Sequence, residues 1–289
     1  MNEVRTGQPI EQPTTSGLAR WPANISLGFR FMDGRTRLSH RLHQGPLRVQ
    51  KPFYPALPHS DECHVYLLHP PGGMAGRDDL AVNIDVGADA TALITTPASA
   101  KAYRSIDGYS KLKQVFEVKG TFEWLPQDTI LFGGSQLKQT TEVQLHAQAR
   151  FCGWEIISIG RPASDDHYQT GGFRGTLSVF VDGKPLLRDR QQWQAGDAVL
   201  QAPWGLAGQN CLGTMLLYPG DKDLLETTRQ LLKEHAMTHL GVTCVDHLLV
   251  IRALSDNPVK LQNQFRALWA ALRQPAFGLP AMPPRIWNT

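Results

Sequence analysis

The sequence lacks several features that would identify a class of protein. No uninterrupted apolar run approaches the roughly 20 residues needed to span a bilayer, and no basic region precedes an apolar stretch and cleavage site at the N-terminus. The 29 basic residues barely outnumber the 26 acidic ones, for a formal net charge of +3, which is too small to suggest a nucleic-acid footprint. We therefore expect a cytoplasmic protein that binds neither membrane nor nucleic acid.

Paired cysteines are also missing. Cys63, Cys152, Cys211 and Cys244 lie far apart with no Cys-x-x-Cys spacing, which favours reduced, mostly buried thiols over a disulfide framework or a zinc knuckle.

Long helical patterns are scarce, and short alternating runs dominate. From Ile25 to Phe31 every second residue is apolar, and similar runs recur to Leu254, which is the period of half-buried strands. Asp182-Gly183 separates two such runs and indicates a tight hairpin. We predict a mainly β protein, a large antiparallel sheet or sandwich-like domain over 23–289, preceded by a flexible tail over 1–22.

Two segments in the C-terminal third have helical spacing instead. In 221–235 Leu224, Thr228 and Leu231, together with Leu225 and Leu232, recur at spacings of three, four and seven, with Asp221 as the N-cap. In 257–273 Leu261, Phe265, Leu268, Trp269 and Leu272 form an apolar stripe, with Pro275 just beyond it.

Motifs for nucleotide binding and nucleophilic catalysis are absent. The glycine-rich segment 69–80 has no Gly-Lys-Ser/Thr and precedes a strand pattern rather than a helix, so we interpret it as a rigid turn or a partner-contact loop. There is no Gly-x-Ser-x-Gly elbow, although a triad dispersed in sequence stays open.

Metal-ligand patterns are weak. His235 and His239 would share a face if the first helix extended that far, as a surface pair or a ligand pair. In Asp61-Glu62-Cys63-His64 strand alternation would send neighbouring donors to opposite faces, which leaves at most a transient foothold for a divalent ion.

Acidic residues within apolar strands are more informative. Glu123, Asp85 and Asp166 either face solvent, pair with an arginine such as Arg161, or line an internal wet passage. Glu123 with Asp166 could also serve a small-molecule hydrolase or isomerase on a β scaffold, and a generic β-sandwich binding module is a third possibility.

Five colinear strings resemble one known family, that of the urease accessory protein UreD, also called UreH. They are GPLRVQKPFYP (45–55), CHVYLLHPPGGMAGRD (63–78), TTPASAKAYR (95–104), EWLPQDTILF (123–132) and LRQPAFGLPAMPPRIWNT (272–289). The chain departs from the family at Gly76-Arg77-Asp78 and at Asp165-Asp166, where the family usually has Gly-Glu.

The resemblance implies a mostly β fold with two helices and a role that is not enzymatic. Similar proteins bind the helical protein UreF and the GTPase UreG, form a dimeric assembly through UreF, and dock on apo-urease so that its di-nickel site is loaded. Nickel would pass transiently, with no permanent cofactor, since weak oxygen ligands release it readily. The residues expected along such a path are Glu123, Asp128, Asp166, Asp85 and His64.

The helical C-terminal third is expected to supply partner contacts. Trp269, Arg285, Trp287 and Phe265 are of residue types enriched at interface hot spots or lie on the apolar stripe. The alternative is that both helices merely cover an open sheet face.

Overall fold

The computed structural model of the chain describes residues 22–55 and 61–288. Residues 1–21 of the predicted tail lie outside the described residues, and Pro22 belongs to the first strand. Seventeen strands and two α-helices are found in the described part. The strands are β1 (Pro22–Met32), β2 (Arg35–Gln44), β3 (Arg48–Val49), β4 (Cys63–Leu68), β5 (Asp79–Val86), β6 (Thr91–Thr95), β7 (Ala100–Ala102), β8 (Ser110–Val118), β9 (Thr121–Leu125), β10 (Thr129–Leu131), β11 (Gln136–Leu145), β12 (Arg150–Ile159), β13 (Gly172–Val181), β14 (Lys184–Gln194), β15 (Cys211–Tyr218), β16 (Leu240–Val245) and β17 (Leu248–Ser255).

The strands form two sheets. The first sheet has the order β14-β13-β11-β8-β5-β1-β2, and the second has the order β16-β17-β15-β12-β9-β6-β4-β3, with β7 and β10 beside them. Through its middle the chain alternates between the sheets, so consecutive strands rarely pair with each other.

This alternation corrects the expected strand direction. The inner strands of both sheets pair in parallel, and antiparallel pairs occur towards the sheet edges. The sheets are therefore mixed, whereas an antiparallel arrangement was predicted. Two strands of the same direction need a crossover, and here the crossover is a strand of the opposite sheet rather than a helix.

One alternating run also proves to be two strands. The apolar residues from Val143 to Phe151 continue in phase, but β11 ends at Leu145 and β12 begins at Arg150. A turn separates them, in which the Ala149 N–H donates to the His146 carbonyl at 2.9 Å. The hairpin at Asp182-Gly183 is as expected, with φ of 46° and 76°.

Both predicted helices are present. Helix α1 (Lys222–Glu234) begins after Asp221, whose carboxylate accepts the Leu224 N–H at 2.8 Å. Helix α2 (Pro258–Phe277) runs one turn further than expected, because Pro275 lies within its last turn and the helix ends at Gly278 with φ of 69°. A proline near a helix C-terminus is tolerated when little helix follows it.

Two apolar layers hold the structure together. One lies between the two sheets, and the other lies between the outer side of the second sheet and the helices, where Trp154, Phe265 and Leu268 are buried. The outer side of the first sheet carries no helix among the described residues. Among those residues no helix is both long and apolar enough to cross a membrane.

Candidate functional site

A cavity between the sheets arises from breaks in two neighbouring strand paths. Residues 96–99 interrupt the path from β6 to β7, and residues 126–128 interrupt the path from β9 to β10. Each break contains a proline, Pro97 or Pro126, which cannot donate to a strand ladder. The cavity has a volume of about 160 Å³ and is lined by both breaks.

A row of polar side chains crosses the inter-sheet space beyond this cavity. We call it the inter-sheet seam; its members are Gln114, Thr141 and Asp189 of the first sheet and Glu155, Thr214 and Arg252 of the second. The Thr141 hydroxyl lies within hydrogen-bond distance of the Glu155 carboxylate and, at 2.8 Å, of Gln114 Oε1. Arg252 Nη1 donates to Asp189 Oδ2 at 2.7 Å and to Thr214 Oγ1 at 3.2 Å.

The seam joins three cavities in series. Glu155 lines the 160 Å³ cavity and also a constriction of about 10 Å³, and Thr214 lines that constriction and also a groove of about 490 Å³ beside Arg252. A volume of roughly 10–15 Å³ accommodates about one water molecule. The three cavities thus share residues of the seam, and the smallest of them, beside Thr141, Glu155 and Thr214, is otherwise lined mainly by apolar side chains.

Two buried polar atoms at the 160 Å³ cavity have no hydrogen-bond partner among the described residues. They are Nε1 of Trp124 and Oε1 of Gln139. Because buried polar groups in proteins are nearly always satisfied, by protein or by ordered water, this cavity suits water or another polar guest.

Glu155 is the carboxylate best placed to act in the seam. Burial raises its pKa above the usual value, Asp189 raises it further, and hydrogen bonds from Thr141 and Gln139 partly oppose the rise. The neutral form is therefore more populated than in an exposed glutamate. A cation that entered the seam would reverse this preference by favouring the carboxylate.

A second polar cluster lies beneath helix α2, and we call it the Arg273 cluster. The Arg273 guanidinium contacts Glu123 at 2.8 Å and Glu62 at 2.6 Å, and Trp269 Nε1 donates to Glu123 Oε1 at 2.6 Å. Glu62 in turn contacts His64 Nε2 at 2.8 Å. All five residues are buried, which joins β4, β9 and α2 through charge-assisted hydrogen bonds.

The charged groups of this cluster stabilise one another, which indicates a structural role. Burial alone would lower the pKa of Arg273, but Glu123 and Glu62 raise it above the usual value. Burial likewise acts to raise the pKa of Glu62, yet hydrogen bonds and charges from His64 and Arg273 lower it overall. Both carboxylates, of Glu62 and Glu123, are therefore paired with the guanidinium of Arg273.

The other residues expected on a nickel path occupy separate places. Asp128 is buried between Ser99 at 2.5 Å and Ser158 at 2.6 Å, beside the 160 Å³ cavity. Asp85 is half-exposed on the outer side of the first sheet and pairs with Arg30 at 2.6 Å.

Asp166 holds a turn. Its carboxylate accepts the N–H groups of Gly133 at 3.0 Å and Tyr168 at 3.2 Å and contacts Arg161 at 3.2 Å. Although burial acts to raise the pKa of Asp166, these three donors lower it. Asp165 beside it adopts φ of 58°, a conformation that glycine adopts with less strain, which is where the family usually has Gly.

The five expected path residues therefore do not form one ligand set. His64 and Glu123 share the Arg273 cluster, whereas Asp128, Asp166 and Asp85 each have their own partners. Within the described ranges no group of three or more His, Cys, Asp or Glu side chains is arranged to hold a metal ion. Glu123 and Asp166, the pair considered for hydrolysis, belong to separate hydrogen-bond networks.

The residues expected at a partner interface divide into two groups. Phe265 and Trp269 are buried in the layer beneath α2, so their rings are not available on the surface of this chain. Arg285 is exposed, and Trp287 is half-buried. Trp287 packs against Trp269 with ring centroids 5.4 Å apart and donates to Thr95 Oγ1 at 3.0 Å.

The structure also shows what the glycine-rich segment and the His235/His239 pair form. Residues 69–78 form a turn in which Asp78 accepts the Ala75 N–H at 2.8 Å, and strand β5 begins at Asp79. Helix α1 ends before His235, so His239 lies beyond the helix and the two imidazoles share no helical face.

Sequence reasoning did not find Glu155 or Arg273. Glu155 carried the same signal as Glu123, an acid between the apolar residues Trp154 and Ile156. Arg273 is the last residue of the helix predicted over 257–273, and its position four residues after Trp269 puts it on the buried face.

Comparisons with known proteins identify the family of this chain. The family described as "UreD urease accessory protein" matches residues 22–288. A urease accessory protein UreD from Alkalilimnicola ehrlichii is 40% identical over 284 residues, covering 97% of this chain and 95% of the relative. UreD proteins from Pseudomonas savastanoi and Citrobacter koseri are 39% and 37% identical, each over 93% of this chain and over 95% and 92% of the relatives. The chain belongs to the UreD family of urease accessory proteins.

Proposed function

We propose that this chain is a non-enzymatic urease maturation factor that binds UreF and UreG, docks on apo-urease and conducts nickel towards its di-nickel site. Family membership supports the maturation role. The observation that supports conduction is the series of three cavities linked by Glu155 and Thr214.

The ligand types in the seam suit a nickel ion that binds only transiently. Oxygen ligands hold nickel less firmly than thiolates or clustered imidazoles do, and the seam offers hydroxyl and amide oxygens with two carboxylates, of which Asp189 is paired with Arg252. Because the carboxyl of Glu155 has a raised pKa, binding of a cation there would release a proton, and loading would slow as the pH falls.

The buried ion pairs of the Arg273 cluster support a structural role for Glu123 within this proposal. Its carboxylate is committed to Arg273, so nickel would have to break a buried ion pair to reach it. Asp128, beside the first cavity, is the expected path residue closest to the proposed route. No observation favours the hydrolase or the generic binding module.

The experiment compares two substitutions at the constriction. Thr214→Leu and Thr214→Ala both remove the hydroxyl, but only leucine fills the narrowest point. Each variant would be produced with the complete set of urease genes, and the nickel content of urease would be measured per intact accessory complex. We expect Thr214→Leu to lower nickel content at least about tenfold and Thr214→Ala to have little effect.

Two results would contradict the proposal. Full nickel loading with Thr214→Leu in normally assembled complexes would remove conduction and leave the scaffold role. Failure of the unaltered chain to join any complex with UreF, UreG or urease would remove the scaffold role as well. Co-purification of the tagged chain from the same cells measures the second outcome.

A further inference from the structure

The cavity of about 160 Å³ between the sheets has mostly apolar walls. Strand register aligns Leu80 with Leu112 and Val82 with Gln114 across β5 and β8, and these four residues line it. Further apolar side chains come from Leu47, Leu67 and Met74. An engineered apolar cavity of about 150 Å³ in another protein binds benzene, whereas a water molecule needs about two to four polar partners. A guest with an apolar body therefore fills this volume better than water does.

Two buried polar atoms of opposite kind belong to residues that line this cavity and have no partner among the described residues. Trp124 Nε1 is a donor and Gln139 Oε1 is an acceptor, and the two residues are only 3% and 4% exposed. The Gln139 side chain also donates a hydrogen bond to Glu155. That bond uses the amide nitrogen, the only side-chain donor of glutamine, and so Oε1 is the end left to accept from a guest.

Strand pairing brings this donor and this acceptor towards one place. Trp124 of β9 pairs with Gly153 of β12, and Glu155 lies two residues further along β12 on the same face. Gln139 reaches Glu155 from the first sheet through the hydrogen bond described above. The unpartnered donor and the unpartnered acceptor therefore come from opposite sheets and lie near the same carboxyl group.

The ionisable groups at the cavity favour a guest without charge. Among the described residues that line it, these groups belong to His69, Lys101 and Glu155. Burial lowers the pKa of His69 and raises that of Glu155, which favours the neutral form of each. Lys101 is only half-buried, and a lysine in such a position keeps its ammonium group in water. An anion would therefore find little compensation inside the cavity.

We infer that this cavity binds a small neutral molecule with an apolar body and a primary amide. The amide oxygen accepts the Trp124 N–H, and the amide nitrogen donates to Gln139 Oε1. Entry needs no unfolding, because Pro97 and Ala98 line the cavity and are exposed. The cavity is also the first of the three on the proposed nickel route, so a bound amide would close that route; this consequence alone rests on the proposed function.

Three probes of similar size test the inference on the purified full chain. Benzamide carries the amide, acetophenone replaces its NH2 with a methyl group, and benzoate replaces the amide with a charged carboxylate. Isothermal titration calorimetry measures the affinity of each. We expect benzamide to bind with a dissociation constant of about 1 mM or lower. Acetophenone and benzoate should each bind at least about tenfold more weakly, because a buried polar atom then stays unpaired or a charge is buried.

Two variants test the assigned partners, and thermal unfolding checks that both fold. Gln139→Met removes the acceptor, so the preference for benzamide over acetophenone should fall to within about twofold. This ratio is measured within one protein and cancels general effects on the cavity. Trp124→Phe removes the donor and should weaken benzamide by about fivefold, the effect of one neutral hydrogen bond. Trp204→Phe is the matched control, because Trp204 is 76% exposed and lies outside the cavity.

Four results would overturn the inference. No saturable binding of benzamide by the unaltered chain would leave ordered water as the occupant. Equal affinities for benzamide and acetophenone would indicate an apolar cavity without amide recognition, and benzoate binding as tightly as benzamide would assign the site to an anion. An unchanged preference in Gln139→Met, or equal benzamide affinities in Trp124→Phe and Trp204→Phe, would place the probe elsewhere. None of these measurements uses nickel or urease, so each failure would leave the proposed function standing.

Discussion

The outer sides of the two sheets show how one sandwich handles charge in two ways. Beneath α2 the carboxylate of Glu123 is fully buried and is bound by Arg273 and Trp269. On the first sheet the carboxylate of Asp85 is half exposed, and a single arginine, Arg30, contacts it. A buried charge must be matched nearly completely, whereas an exposed charge is satisfied by water.

The charged residues on the two sides also differ in their roles. On the covered side the charged groups hold α2 and the C-terminal residues against the sheet. On the bare outer side of the first sheet Arg30 pairs with Asp85, whereas Lys113 and Arg190 are exposed to water. Sequence alone shows acids and bases in both places and does not distinguish these uses.

The largest effect is expected from Glu123→Leu. Removing one partner of a buried ion pair typically costs about 3–5 kcal/mol, and here it leaves Glu62 as the remaining carboxylate beside Arg273. The matched change Asp85→Leu breaks a half-exposed pair and should cost no more than about 1 kcal/mol. Urea unfolding of both variants measures the free energies of unfolding, and similar losses would show that the two sides do not differ as described.

A smaller effect is expected from Trp287→Phe. The change keeps an aromatic ring beside Trp269 but removes the N–H that donates to Thr95, a loss of about 1 kcal/mol. The C-terminal residues should become more susceptible to limited proteolysis. Trp204→Phe serves as the control because Trp204 is 76% exposed, and equal susceptibility in both variants would count against a fixed C-terminal segment.

Glu155→Gln should stabilise the chain in a pH-dependent way. Burial raises the folded-state pKa of Glu155, so the folded chain retains a proton that the unfolded chain loses, and stability falls as pH rises through the folded-state pKa. Glutamine has no such titration. The variant should be more stable at neutral pH and should lose this advantage below about pH 4, where glutamate is protonated in both states; a pH-independent difference would contradict this.

Thiol accessibility gives the mildest test. Burial raises the pKa of Cys63 and Cys211 to about 11 and that of Cys152 well above its ordinary value. Only Cys244, on the edge strand β16, is partly exposed. A thiol reagent at neutral pH should label Cys244 first and the others only on unfolding, and Cys244→Ser should abolish the early phase.

The sequence predicts local structure well where one side of an element meets water. The alternation of Ile25 to Phe31 and the spacing of leucines after Asp221 indicate β1 and α1 directly. Strand direction is different, because it depends on which distant strands meet. Residues 143–151 show the same difficulty, since a turn at His146 leaves the apolar phase unchanged.

The candidate site was predicted only in part for a related reason. An acidic residue in an apolar strand needs a charged or polar partner. This reasoning drew attention to Glu123, which has such partners. The pattern does not say whether the partner is an arginine, as at Glu123, or a polar row between the sheets, as at Glu155. Arg273 lies 150 residues from Glu123, and no local pattern links them.

The order of strands has a consequence for how the chain is made. From β1 onward, each new strand of the first sheet joins beside the previous one, through β5, β8, β11 and β13 to β14, and the second sheet grows from β4 to β15 in the same way. Both sheets can therefore lengthen during synthesis, each at one advancing edge. The first sheet reaches its terminal strand β14 at Gln194, whereas β15, β16 and β17 of the second sheet follow later. A ribosome-bound chain that lacks its last third would therefore expose β12 as an unfinished edge to other chains.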